Sequence, residues 1–233
     1  MVLAPNSIRF VLCRPSHPGN IGAAARAMKT MGLADLRLVA PERFPAPEAQ
    51  WMATHAVDVL ESARVCSDLG EAIRDCVHAF ALSARPREWS PPVLDVRTAA
   101  GRAMEMDGPV AFVFGNETAG LTNEEVFACQ SLVHIPASKD SSSLNLAQAV
   151  QVVAYELHMA PDVAVPFSRV EKAATVEDLE GLYAHLEEAA VASGFMTPQS
   201  RVRERWRRLF SRVPRLEREE VNILRGLLKA LLK

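Results

Sequence analysis

The chain has 233 residues, 49% hydrophobic and 23% charged, with a formal net charge of −2. That is enough for one substantial core and a second, smaller one. No apolar run reaches the ~18 to 20 residues that cross a bilayer, and residues 1–10 lack the basic start and long apolar centre of a signal peptide, so the expectation is a cytoplasmic globular protein that avoids membranes.

In chain order, Ile8-Arg-Phe-Val-Leu-Cys13 reads as a first strand. A polar turn, Arg14-Pro-Ser-His-Pro-Gly-Asn20, leads into an alanine-rich helix over Asn20 to Met31. Leu36 to Val39 and Val77 to Leu82 read as further strands, and Ala49 to Thr54, Asp68 to Asp75 and Val96 to Met106 as helices. Val110-Ala-Phe-Val-Phe114 is a short apolar run of the buried-strand type, ending at Gly115. Leu132 to Ile135 is another, and a helix with apolar residues at Leu146, Ala147, Val150, Val153, Ala154 and Leu157 opens at Leu144. Strands and helices alternate from residue 8 to 158, which predicts an α/β fold with a mostly parallel sheet.

After Met159 the segment Ala160-Pro-Asp-Val-Ala-Val-Pro-Phe167 has two prolines and no period, a linker. Beyond it Thr175 with Asp178 resembles a helix cap, Leu179, Leu182, Tyr183 and Leu186 form one helical stripe, and Arg201 to Phe210 and Glu217 to Leu232 give two more helices. The expected division is a main domain over 1–159, a linker over 160–174 and a small all-helical domain over 175–233.

Charge divides the same way. Residues 201–233 hold eleven Lys or Arg against four Glu, net +7, while residues 1–200 hold fifteen against twenty-four, net −9. Pairs such as Glu204 with Arg208 fit a solvated helix face. Yet Arg201, Arg203, Arg205, Arg207, Arg208 and Arg212 crowd twelve residues around Trp206 and Phe210, a pattern suited to a polyanion. Cys13, Cys66, Cys76 and Cys129 lack paired metal-ligand spacing, so buried thiols and no metal are expected.

Three segments carry small and polar residues at strand ends, where open α/β sheets bind ligands: His17-Pro-Gly-Asn-Ile-Gly-Ala-Ala-Ala-Arg26 continuing to Gly32, FGNETAGL at 114–121, and SSSLNLAQAV at 141–150. In order and spacing they resemble the three motifs of the SPOUT class of RNA methyltransferases, and residues 179–226 are similar to the C-terminal extension of the TrmJ group, which methylates the ribose of tRNA nucleotide 32. One departure is Asn116, where that group commonly has Arg.

The resemblance implies a trefoil knot in the main domain, S-adenosylmethionine as cofactor, tRNA as substrate and a homodimer. It places the donor against Leu82, Ser83, Ala84, Gly115, Ile135, Ser142, Ser143 and Leu144. It makes Arg26 the catalytic cation, with Asn20, Glu117, Ser143 and Asn145 shaping the site. Without the motif, Arg26 would be a helix-surface cation, Glu117 a loop acid, Asn145 a first-turn residue and Ser143 a helix cap. Three alanines before Arg26 predict room beside it for a bulky substrate. The same resemblance admits another tRNA position or ribosomal RNA as target, and a non-catalytic RNA-binding factor, although the intact motif residues argue against the last. A nucleotide-binding dehydrogenase is disfavoured, because no strand is followed by GxGxxG.

Overall fold

A computed structural model describes residues 8–85, 87, 89–138, 140, 142–160, 173–197, 200–213 and 216–232. Among these residues, seven strands form one sheet in the order β3-β2-β1-β6-β4-β7-β5: β1 Ile8–Cys13, β2 Asp35–Val39, β3 Arg64–Cys66, β4 His78–Leu82, β5 Val93–Asp95, β6 Val110–Phe114 and β7 Ser131–His134. Every pairing is parallel, so the expectation of a mostly parallel sheet is met in full.

The central strands explain their own composition. With helices on both faces, β1 and β6 are buried at every position, which is why β6 reads as an unbroken apolar run and β1 as one broken only by Arg9. Register sets Phe10, Phe112 and Phe80 side by side, with centroids 6.1 and 4.7 Å apart. Val11, Val113 and Ala81 line up beneath them, facing the second core.

The first face is covered by α1 (Pro18–Thr30), α2 (Pro47–Ala53), α3 (Val57–Glu61), α5 (Val96–Met104) and α7 (Leu146–Met159). The other face carries α4 (Leu69–Ile73) and α6 (Asn123–Ala128). Helix α1 packs against α2 and α7. Its approach to α2 depends on Gly22, where a Cβ would stand 2.0 Å from the Ala49 carbonyl oxygen.

The C-terminal helices α8 (Val176–Ala192), α9 (Val202–Phe210) and α10 (Arg218–Leu231) enclose Leu179, Leu182, Tyr183 and Val221. Thr175 and Asp178 form the expected capping box. The extension is fastened to the main domain: the Val176 N–H donates to the Cys76 carbonyl at 2.8 Å, the Glu177 N–H donates to that of Arg74 at 3.0 Å, and Val176 is buried in the second core. Of the expected linker, residues 161–172 lie outside the described residues.

Several expectations need correction. The helix expected from Leu144 starts at Leu146, because Asn145 takes the capping position and accepts from the Ala147 N–H at 2.9 Å. The helix expected to Met106 stops at Met104. The elements β3, β5, α3 and α6 have three to six residues each, too short to show a period. Glu204 and Arg208 do not pair; the α9 arginines find other partners, described below.

Candidate active site

Strands β1, β6, β4 and β7 are consecutive neighbours, so the loops leaving their C-terminal ends emerge side by side. Three of these loops enclose a cleft, through residues 82–85 and 87 after β4, 115–121 after β6, and 135 and 142–144 after β7. All eight positions that the resemblance assigns to the donor line it, namely Leu82, Ser83, Ala84, Gly115, Ile135, Ser142, Ser143 and Leu144. Gly115 is needed for the walls to close. The 115–121 segment folds back through a bridge between Asn116 and Gly120, and a Cβ on Gly115 would lie 2.2 Å from the Gly120 carbonyl carbon. Gly120 itself has φ +71°, a conformation open to glycine at little cost.

A chain of hydrogen bonds ties the fourth loop, after β1, to this cleft. The Glu117 carboxylate accepts from the Ser16 N–H and hydroxyl at 2.9 Å each, the His17 N–H at 3.2 Å and the Asn20 amide at 2.9 Å. Asn20 in turn accepts from the Asn145 amide at 3.1 Å. Burial works to raise the Glu117 pKa, but the donors of Asn20 and Ser16 outweigh it and hold the group at about 2. Three of the motif residues thus form one network, anchored by the cap of α7.

Residues the sequence did not single out complete the frame. Arg14 has φ +50°, a strained setting for a side chain with a Cβ. It is held there on all sides: its N–H donates to the Val39 carbonyl at 2.8 Å, its carbonyl accepts from the Asn116 amide at 2.8 Å, and its guanidinium pairs with Glu125. Asn116 also accepts from the N–H groups of Thr118 and Ala119 at 2.9 and 3.1 Å. Its side chain is therefore spent on shaping its own loop. The signal for this was the Asn-Glu-Thr turn chemistry within FGNETAGL.

Arg26 stands apart. It is exposed on α1, does not line the cleft, and has no hydrogen-bond or ion-pair partner among the described residues. Neither Asn20 nor Glu117 contacts it. The expected space beside it is absent on the core side, where Ala24 and Ala25 are fully buried as packing residues. Ser143 lines the cleft and is not the α7 cap, and Ser141 lies outside the described residues.

The basic segment divides into two faces. Arg207 pairs with Glu180 and lies over the Tyr183 ring at 4.7 Å, and Arg203 pairs with Glu187. Arg201, Arg205, Arg208 and Arg212 have no carboxylate partner among the described residues. All four cysteines are free and buried, and no group of three His, Cys, Asp or Glu suited to a metal occurs among the described residues. No helix among them is long and apolar enough to cross a membrane.

Residues 7–155 match the model of the SpoU rRNA Methylase family, and residues 177–233 match that of the tRNA methyltransferase TrmJ C-terminal domain. The tRNA (cytidine/uridine/adenosine-2′-O-)-methyltransferase TrmJ of Pseudomonas aeruginosa is 45% identical, over 95% of this chain and 92% of that protein. The chain belongs to the SpoU methylase family, in its TrmJ group. Among solved SpoU methylase structures, TrmJ from Z. mobilis ZM4 superposes with a TM-score of 0.86 at 38% identity, covering 97% of this chain and 99% of that one. SpoU methyltransferase AviRb from Streptomyces viridochromogenes, solved in complex with AdoMet, gives a TM-score of 0.53 at 25% identity over 68% of this chain and 59% of that one.

Proposed function

We propose that the protein transfers the methyl group of S-adenosylmethionine to the 2′-oxygen of a ribose in the tRNA anticodon loop, with nucleotide 32 the target. The observation that carries this reading is the cleft at the ends of β4, β6 and β7, joined to the α1 motif through Glu117, Asn20 and Asn145. Family membership supports the same chemistry.

The cleft residues suit the donor. Leu82, Ile135 and Leu144 offer apolar walls for a purine, and Ser83, Ser142 and Ser143 offer hydroxyls for polar groups. When bound, the donor supplies a methyl group already activated on a sulfonium, so the protein needs to contribute orientation, exclusion of water and help with the hydroxyl proton. A guanidinium is a donor and never a practical base. Arg26 accordingly acts as a cation: it favours the alkoxide-like oxygen and fixes the ribose, while water or a neighbouring phosphate oxygen takes the proton. The network around Glu117 holds the loop after β1 at the cleft rim.

Arg26 reaches its target by way of a second copy of the chain. Its lack of an internal partner supports this, as do the exposed Trp51 and Met52 on α2 and Tyr155 and Met159 on α7, the two helices packed against its own. The boundaries 1–159 and 175–233 for catalytic and RNA-gripping parts, and a trefoil threading of the main domain around the loop after β7, belong to the same proposal. The test is incubation of the purified protein with unmodified tRNA and labelled S-adenosylmethionine. Transfer of label to ribose is expected, and donor binding without transfer to any tRNA contradicts the proposal.

A further inference from the structure

A second groove opens beside the cleft. It is lined by Arg87 and Trp89 from the loop after β4, by Asn123 and Phe127 from α6, and by Arg201 and Arg205 from α9. Arg87 lines both cavities. We propose that this groove is a subsite for one unpaired nucleotide of the RNA next to the target, with its base stacked on Trp89, its phosphate held by Arg205 and Arg208, and Arg87 linking it to the transfer cleft. The inference rests on the RNA-methylation reading above.

Three observations converge on it. Arg205 and Arg208 place their guanidinium carbons 5.3 and 5.7 Å from the Trp89 ring centre, so an indole and two cations form one cluster. A flat aromatic surface beside guanidinium groups is the usual way a protein grips single-stranded nucleic acid without reading sequence.

Next, the arginines of α9 sort by helical position. Arg203 and Arg207, four residues apart, are neutralised by α8, whereas Arg205 and Arg208 share the other side of the helix, with Arg201 at its N-cap and Arg212 in the turn after it continuing the spacing of four, three and four. Among the described residues no carboxylate pairs with that stripe, and Arg205 and Arg208 meet only the Trp89 ring.

The third observation is Arg87. Its guanidinium donates to the Asn123 side-chain oxygen and to the Leu121 carbonyl at 2.7 Å, both neutral acceptors, and its buried Nε has no partner. Burial and the nearby Arg85 weaken its hold on its proton. An inward-turned cation with a spare donor and no carboxylate hydrogen-bonded to it is suited to a phosphate. Glu204, also in the groove, has an unpartnered Oε2 that a base N–H can satisfy.

The experiment compares wild type with Trp89→Ala, Trp89→Phe and the double variant Arg205→Gln, Arg208→Gln. An unmodified tRNA transcript is the RNA probe, and S-adenosylmethionine affinity is measured in parallel. Loss of one base stack predicts about ten-fold weaker RNA binding for Trp89→Ala, recovered largely by Phe, with donor affinity unchanged. If the four stripe arginines contact phosphate, log Kd against log salt has a slope magnitude of roughly 3 to 4, and the double variant lowers it by about 1.5. Wild-type RNA affinity in Trp89→Ala overturns the subsite, as does a parallel loss of donor and RNA affinity that Phe leaves unrestored, which marks a packing role. When wild type methylates tRNA in the same assay, such a result refutes the subsite alone. A wild type that neither binds nor methylates RNA removes both the subsite and the reading it rests on.

Discussion

Glu117 and Arg26 stand in opposite situations: one accepts four hydrogen bonds, the other has no hydrogen-bond or ion-pair partner among the described residues. Glu117 receives four hydrogen bonds and touches no cation, so its task is to fix the loop after β1 against the loop after β6. Its depressed pKa means that its stabilising effect is complete above the ordinary carboxylate range and is lost only as pH falls toward about 2. Arg26, with no hydrogen-bond or ion-pair partner among the described residues, is predicted to be dispensable for structure. Arg26→Ala should abolish methyl transfer while donor affinity by calorimetry stays near wild type; a collapse of donor affinity contradicts the assigned role. Motif spacing exposed both residues in the sequence, but their opposite situations depend on partners about 100 positions away.

His78 gives a second prediction at this scale. It is half-buried at the start of β4, hydrogen-bonded through Nε2 to the Ser131 hydroxyl at 2.9 Å, and loss of hydration together with Arg102 pushes its pKa down to about 3. The folded chain keeps it neutral, whereas the unfolded chain protonates it near pH 6.5. Between those values the unfolded state binds the extra proton, so this group's contribution to stability is full above about pH 6.5 and falls as pH drops, by at most about 1.4 kcal/mol per pH unit. Denaturation at pH 5 and pH 7 should show this slope flattened in His78→Gln. An unchanged slope assigns the acid sensitivity elsewhere.

At the scale of elements, α1 is held by close approach. Because a Cβ on Gly22 would meet the backbone of α2, Gly22→Ala must push the helices apart, at a cost of about 1 to 3 kcal/mol. The melting temperature should drop by several degrees, and transfer should fall with it, since α1 carries both Asn20 and Arg26. A variant as stable as wild type would show that α2 yields freely. The major elements were legible because β6 is apolar throughout, β1 is apolar but for Arg9, and α7 keeps a clear helical period. The three-residue strands β3 and β5 sit at the sheet edges with exposed positions and lack any such run. Arg9 was invisible as a core residue: a cation inside an apolar strand, it is 4% exposed because Asp35 and Asp75 from two other elements pair with it.

Across the whole molecule, the motifs brought Asn20, Glu117 and Asn145 together but left Arg26 apart, and they did not show how the basic tail is partnered. The eight positions proposed for the donor line one cleft, at neighbouring strand ends. Which arginines of α9 remain free depends on Glu180 and Glu187 in α8, and Trp89 carries no motif of its own. A dimer in which Arg26 serves the opposite cleft has a direct consequence. Arg26→Ala mixed with a cleft variant, Gly115→Val, should regain activity after the subunits exchange, although each is inactive alone. A mixture as inactive as its parents contradicts action across subunits.

The central claim is ribose methylation of tRNA in the anticodon loop. The most direct measurement is to treat unmodified tRNA with the protein and S-adenosylmethionine, digest it with nuclease, and locate any 2′-O-methyl group by mass spectrometry. The account predicts a single mark at nucleotide 32, absent with Arg26→Ala. A mark at another nucleotide, or none on tRNA and one on ribosomal RNA, would contradict it.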